Sequence, residues 1–173
     1  MSKIEINRLT NANVYLDGGS MLGRAEEITL PTLKAKMAEH KALGMVGTIE
    51  SFAGFEKLEG KIKWSSLYPE VLKKTANPFT AVQLQVRGSL EVYTSAGRQD
   101  EKPVVVMLSV IFKSLPAGAF KQHDNVEVES EFTATYMKIS VDGEEIVEID
   151  ALANIYKAGG EDVLAAYRTN IGG

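Results

Sequence analysis

The chain contains no cysteine. Disulfides, thiolate nucleophiles, iron–sulfur clusters and thiolate-held zinc are therefore excluded, and the fold must be held by packing. Histidine is nearly absent too: His40 and His123 are the two present, too few for a His-rich metal site and a poor basis for a catalytic triad. Positive charge is outnumbered, 19 Lys and Arg against 23 Asp and Glu, for a net charge of −4 and a pI near 5.3. That balance argues against a protein that grips nucleic acid through a basic surface. No apolar run exceeds the five residues 104–108, far short of the ~20 that cross a bilayer as a helix. Lys3, Glu5, Asn7 and Arg8 interrupt the N-terminus, so it lacks the apolar stretch of a signal peptide, and the chain is expected to be made and to remain in a cytoplasm.

What remains is an ordinary globular composition, 173 residues with 45% apolar and 24% charged, which argues for one domain with its own core. Its dominant period is two. Val82, Leu84, Val86, Leu90 and Val92 alternate with Gln83, Gln85, Arg87, Ser89 and Glu91, a strand with one dry and one wet face. From 102 to 113 both parities are apolar, Val104, Val106, Leu108, Val110 and Phe112 against Val105, Met107 and Ile111, which predicts a strand covered on both sides. Val126, Val128, Phe132 and Tyr136 alternate with Glu127, Glu129, Glu131, Thr133 and Thr135. Asp142-Gly143 between two such runs predicts a type I′ hairpin. A strand over 25–33 is predicted to be an edge or bulged because of Pro31. Residues 43–65 read as one long hairpin turning near Gly54, and 37–43 fit either a helical turn or an extended edge. Two helices are expected: one opened by Pro69 and stopped at Asn77-Pro78, and one over about 160–171 with Glu161 and Asp162 in its first turn and Arg168 in its last.

No constellation supports catalysis. His123, Asp124 and Glu127 would converge on a cation only in a helix; on a strand His123 and Glu127 lie about 13 Å apart at about 3.3 Å per residue, and a solvated loop is the better reading. Neighbouring acids, Glu26-Glu27 and Glu144-Glu145, point to opposite faces of a strand, so a surface or interface role outweighs acid–base chemistry. Gly18, Gly19 and Gly23 have no following Lys-Ser/Thr and read as turn glycines, not a phosphate loop. Trp64 reads as core. A strand set this apolar with so little helix leaves edges that invite pairing. Either the chain closes a small barrel around a ligand, or its edges join other copies in a ring.

The residues themselves then suggest a family. Asn13, Asp17-Gly18, Leu30-Pro31, Gly44-Met45 and Glu56-Lys57-Leu58 leading to Trp64, followed by Gly143, Glu148, Asp150 and Tyr156, make a pattern that resembles the major tail tube proteins of contractile-tailed bacteriophages over nearly the whole chain. The resemblance implies a mainly β subunit, two packed antiparallel sheets in a sandwich or barrel-like body with one or two short helices, whose sheets join across copies in a hexameric ring. It implies a structural role without enzymatic activity, cofactor or metal, in a virion whose tail is assembled in the host cytoplasm. The implied partners are further copies of the chain, a tail sheath protein, a tape measure protein, baseplate and tail terminator proteins, and double-stranded DNA that passes through the lumen without specific binding; membrane insertion is not expected. A ring protein of a phage-derived injection or secretion system is the nearest alternative, and a monomeric ligand-binding β-barrel a more distant one.

Under that resemblance, four strands per copy give a 24-stranded wall about 48 Å across the backbone at about 4.8 Å spacing and about 40° tilt, room for a duplex. Six copies at −4 carry −24 per ring, and acid facing the bore would let DNA slide. The candidate lumen faces are Gln83, Gln85, Arg87 and Glu91, and separately Glu127, Glu129 and Glu131, one of which could face the sheath instead. Contacts between rings are expected from an N-terminal arm (about 1–11), from the 43–65 hairpin with Gly44, Met45, Val46, Gly47, Phe52, Gly54 and Phe55, and from the C-terminal residues 169–173.

Overall fold

The computed structural model describes residues 4–173. Twelve strands and two short helices follow one another in the order β1 (Ile6–Leu16), β2 (Gly19–Ser20), β3 (Ala25–Thr29), β4 (Ala35–His40), β5 (Ile49–Phe55), β6 (Leu58–Trp64), α1 (Pro69–Thr75), β7 (Val82–Thr94), β8 (Gly97–Phe112), β9 (Val128–Val141), β10 (Glu144–Asp150), β11 (Ile155–Ala158), β12 (Glu161–Asp162) and α2 (Ala165–Asn170). The mainly β expectation holds, with two antiparallel sheets. Ten strands form one sheet in the order β12-β11-β10-β9-β8-β7-β1-β2, from which β6 and β3 branch along the first half of β9. β4 and β5 pair only with each other.

The branch at β9 curls the sheet around its core. β9 is long enough, at 14 residues, to pair with β6 through Val128–Ala134 and with β10 through Tyr136–Val141 on the same edge. The walls β1-β7-β8 and β9-β6-β3 thus face each other across Leu16, Leu84, Leu108, Val110, Phe112, Phe132, Ile62 and Trp64, each at most 1% exposed. Phe112 and Phe132 meet edge to face at 6.1 Å, and the Trp64 indole N–H donates to the Ser130 hydroxyl at 3.2 Å, which satisfies two buried polar groups at once. The interior is filled with side chains, as in a small barrel that holds no ligand. Helix α1 plugs one end with Val71 and Thr75.

Two turns follow from their sequence directly. Asp17-Gly18 and Asp142-Gly143 have positive φ at both positions (47° and 80°, 53° and 78°), the requirement of a type I′ hairpin. Pro69 and Asn77-Pro78 bound the first helix as expected.

Elsewhere the structure corrects the periodicity. The 43–65 segment is not one hairpin: β5 turns back on β4, so the hairpin spans 35–55, while β6 leaves it to pair with β3 and β9. The undecided segment 37–43 is strand through His40. β3 stops at Thr29, before buried Pro31, which has no N–H to give a ladder. Tyr136 does not share the apolar face of Phe132. Thr135 is an extra residue in β9, between the Ser109–Tyr136 and Val110–Ala134 pairs, and this bulge flips the parity so that Met137 enters the core. The 102–113 strand is not fully covered on both sides: Met107 is 45% exposed, while Val105 and Ile111 on the same face are half-buried. The C-terminal helix is shorter than 160–171, because Glu161 and Asp162 pair with β11 after the Gly159-Gly160 turn. Residues 6–11 of the expected arm already belong to β1, where 6–9 pair with β7 and Thr10 and Asn11 fall in a register shift; residues 1–3 lie outside the described residues.

Candidate functional site

The surfaces available for assembly follow from which faces the fold leaves uncovered. The outward face of β7 carries Gln83, Gln85 and Arg87, and the register extends it to Asn13 and Tyr15 on β1 and to Ser109, Met107 and Val105 on β8. Arg87 lies over the Tyr15 ring at 5.6 Å, and with the Gln85 amide oxygen turned toward it donates at 3.2 Å from Nε. Beyond β8 the stripe continues through Thr133, Tyr136 and Lys138 of β9. It is mostly uncharged hydroxyl and amide. Glu91, grouped with this set from sequence, sits at the far end, where the Arg98 guanidinium (2.9 Å) and the Tyr93 hydroxyl (2.9 Å) engage it.

The second set lies on the opposite wall. Glu129 and Glu131 project from β9 beside Lys63 and Lys61 of β6. Lys61 pairs with Glu129 at 3.4 Å, and Lys63 with Glu26 at 3.4 Å and with Glu127, which precedes the strand, at 4.0 Å. These acids are thus partly neutralised by cross-strand lysines. Lys113 adds a 2.5 Å pair to Glu59 on the same wall. The first set is centred on β7 and the second on β9 and β6, with β8 between them in the sheet order, and the two adjoin where Thr133 follows Glu131 on the outward face of β9.

The third surface is the β4–β5 ribbon, exposed along nearly its whole length. Leu43 and Val46 at its tip are 104% and 109% exposed, and Met37, Ile49 and Phe52 are half or more exposed. Gly44, with φ of 87°, and Gly47 shape the turn. At the ribbon's base Phe55 meets Phe52 edge to face at 4.9 Å and the tilted Tyr156 ring at 4.6 Å, and Gly54 and Phe55 line a cleft of about 620 Å³ shared with Ile149, Asp150, Leu164 and Tyr167.

Most motif residues have work inside the chain. Asp17 receives the Lys74 ammonium at 2.8 Å and the Gln83 amide at 2.9 Å, tying β1, α1 and β7 together. The Lys74 bond, reinforced by that amide, holds the Asp17 carboxyl below its usual range against the opposing effect of burial. Asn13 donates to Ser20 at 3.0 Å; Leu30 packs on the core; Glu56 lies 3.8 Å from Lys34, and Lys57 3.0 Å from Glu59; Leu58 is buried. Asp150 accepts from the Leu152 and Ala153 amides and shapes the β10–β11 turn. Glu148 accepts from Tyr136 at 2.9 Å and lies 3.2 Å from Lys157; burial pushes its pKa up, but these partners outweigh it and leave it lowered. Tyr136 is correspondingly pushed up to about 12, by burial first and then by its bond to Glu148. Gly44 and Met45 are different: they sit in the exposed tip, where little of their own chain calls for them. Sequence reasoning missed the cleft and the bulge that turns Tyr136 outward, neither of which has a local signal.

A sheet curled around a filled core, with polar outer walls and an uncovered ribbon, defines a building block, and groups of three or more His, Cys, Asp or Glu able to hold a metal are absent among the described residues. Solved structures share this fold: a chain of the sheath–tube complex of an extracellular contractile injection system in its extended state, at a TM-score of 0.56 and 11% identity over 75% of this chain and 87% of that one. A chain of the sheath/tube terminator of the same system aligns at 0.55 and 11% identity, over 75% and 92%. The family model for phage tail tube protein FII matches residues 6–172, and the tail tube protein of Escherichia phage P2 is 30% identical, covering 95% of this chain and 96% of the relative. The major tail tube protein of Serratia phage KSP20 is 28% identical over 87% and 86%. The chain belongs to the phage tail tube protein family, and it is a structural subunit of a contractile tail's inner tube.

Proposed function

We propose that copies of this chain close into six-membered rings that stack into a hollow, non-enzymatic tube inside a sheath, ending at baseplate and terminator proteins, with a tape measure protein and then double-stranded DNA in its lumen, and that it is assembled in the host cytoplasm. The observation that carries this reading is the β4–β5 ribbon, where Leu43 and Val46 are fully exposed and Met37, Ile49 and Phe52 are half exposed. Exposed apolar surface of that kind marks a contact between proteins. The free edge of β1, paired with β2 only at Tyr15 and Leu16, supports joining of sheets around the ring.

The Gln83, Gln85 and Arg87 face, with Ser109 and Thr133, is the better candidate for the lumen. Its non-adhesive character would come from the scarcity of charge more than from a dense acidic lining, so the −24 per ring resides elsewhere. The wall with Glu129, Glu131, Lys61 and Lys63 suits the sheath side, where mixed charge offers pairing partners. Purified chain should form hollow tubes by negative-stain microscopy and scatter light as particles far heavier than 18.8 kDa. A stable monomer under every assembly condition would overturn the reading.

A further inference from the structure

The face that carries Gln85 and Met107 does not stay uncharged beyond β8. Met107 pairs with Lys138, Lys138 with Glu148, Glu148 with Lys157 and Lys157 with Asp162, so a row of alternating sign crosses β9, β10, β11 and β12 on that face. We propose that Glu145 and Glu148 keep the lysines of this face from gripping the phosphate backbone of a duplex in the bore, by holding each lysine against a carboxylate of its own wall. The inference rests on the lumen reading of this face and names what makes its charged part non-adhesive. Lys138 lies 3.1 Å from Glu145 and Lys157 3.2 Å from Glu148. Asp162, at the end of the row, is committed through both oxygens to the Arg168 guanidinium. Three cations thus meet three anions, and this part of the wall sums to zero.

Pairing within the wall changes what a polyanion meets. Neighbouring strands lie about 4.8 Å apart, less than the Debye length of about 8 Å at physiological salt, and the field of charges that alternate at that spacing cancels within a comparable distance. DNA gains by releasing counterions when a free lysine replaces them at its phosphates, and a lysine already met by a carboxylate offers that exchange only if its pair breaks. The two carboxylates are fixed in place: the Glu145 side chain is 22% exposed and that of Glu148 16%, and Glu148 also accepts from the Tyr136 hydroxyl at 2.9 Å. Burial raises the Glu148 pKa, but Tyr136 and Lys157 outweigh it, so the group is ionised where the lysines need it. Arg87, on the uncharged stripe, is drawn onto the Tyr15 ring and the Gln85 amide; it is unchanged in every variant below and sets the same baseline for all of them.

Glu145→Gln with Glu148→Gln keeps both side-chain shapes and uncovers both lysines, taking a six-membered ring from −24 to −12. Parent and variant tubes are incubated with a short fluorescent duplex at about 50 mM salt and pelleted, with and without nuclease. Variant tubes should retain the duplex and shield it from the nuclease, whereas parent tubes should leave it in solution. With about six phosphate contacts, one lysine per copy, the variant's affinity should fall about 10³-fold between about 50 and about 200 mM salt. Adding Lys138→Gln and Lys157→Gln to the variant should restore the parent behaviour, which a merely structural role for the two acids would not do. A variant that builds no tube alone is co-assembled with parent chain and read in the same way. Variant tubes that leave the duplex in solution, or parent tubes that retain it as strongly, would overturn the inference and leave the tube reading standing. Duplex that pellets with the variant but is cut by nuclease would overturn it too, since this face would then lie outside the bore. No tubes from unmodified chain would refute the tube reading itself.

Discussion

Gly60 is the position where β3, β6 and β9 come closest. A Cβ built there would lie 2.5 Å from the Phe132 Cζ and 2.5 Å from the Thr29 carbonyl oxygen, with the Phe132 Cε2 at 2.9 Å. Neither neighbour can yield cheaply. Phe132 is 0% exposed, and the Thr29 carbonyl is backbone in a strand paired with β6. Gly60→Ala therefore sets two effects against each other. Gly60 is not among the positive-φ glycines, so alanine costs no backbone strain there and restricts the unfolded chain, worth about 0.4–1 kcal/mol in favour of the variant. Overpacking a tight site costs about 1–3 kcal/mol. Packing wins, by about 1–2 kcal/mol net. At roughly 2–4 °C per kcal/mol for a chain of this length, the midpoint should fall by about 2–8 °C. Trp64, the single tryptophan, is buried four residues along β6 and reports the thermal transition by its fluorescence on heating. Measurement at two protein concentrations separates subunit stability from assembly. Adding Phe132→Leu, which removes the contacting ring edge, should make the Gly60→Ala cost smaller than in the parent, a coupling read from the double-mutant cycle. A Gly60→Ala midpoint equal to or above the parent's would refute the close approach of the three strands.

Trp64→Phe removes the donor to the Ser130 hydroxyl, which is 1% exposed; the orphaned group alone should cost about 1–3 kcal/mol by thermal circular dichroism, and Ser130→Ala on top should cost less than it does in the parent. For Asp17 the folded pKa is lowered by Lys74, so its contribution is complete above the ordinary carboxylate value and is lost as pH falls through the depressed folded pKa. With its side chain 42% exposed, solvent screening keeps this contribution below about 1 kcal/mol. Asp17→Asn should accordingly narrow its stability gap to the parent below about pH 4, and a gap that widens on acidification would contradict the assignment.

Much of this protein was determined locally. Alternation over 82–92 set the dry face of β7, Asp142-Gly143 and Asp17-Gly18 set their turns because few residues accept positive φ at two successive positions, and Pro69 set the start of a helix. The absence of cysteine and the scarcity of histidine excluded thiol and His-rich site chemistry, and the motif pattern carried the resemblance to the family. Tertiary structure decided the rest, where the outcome depends on residues distant in the chain. The bulge at Thr135 exchanges Tyr136 for Met137 in the core because β8 and β10 must both pair with β9. β6 abandons the ribbon next to it in sequence because Ile62 and Trp64 bury completely only against Phe132 and Val128. Charge followed the same rule: a total of −4 is a property of the sequence, but pairing across β6 and β9 sets Glu129 and Glu131 beside lysines and leaves the β7–β8 stripe nearly uncharged. Composition counts charges, whereas only strand register decides which of them share a face.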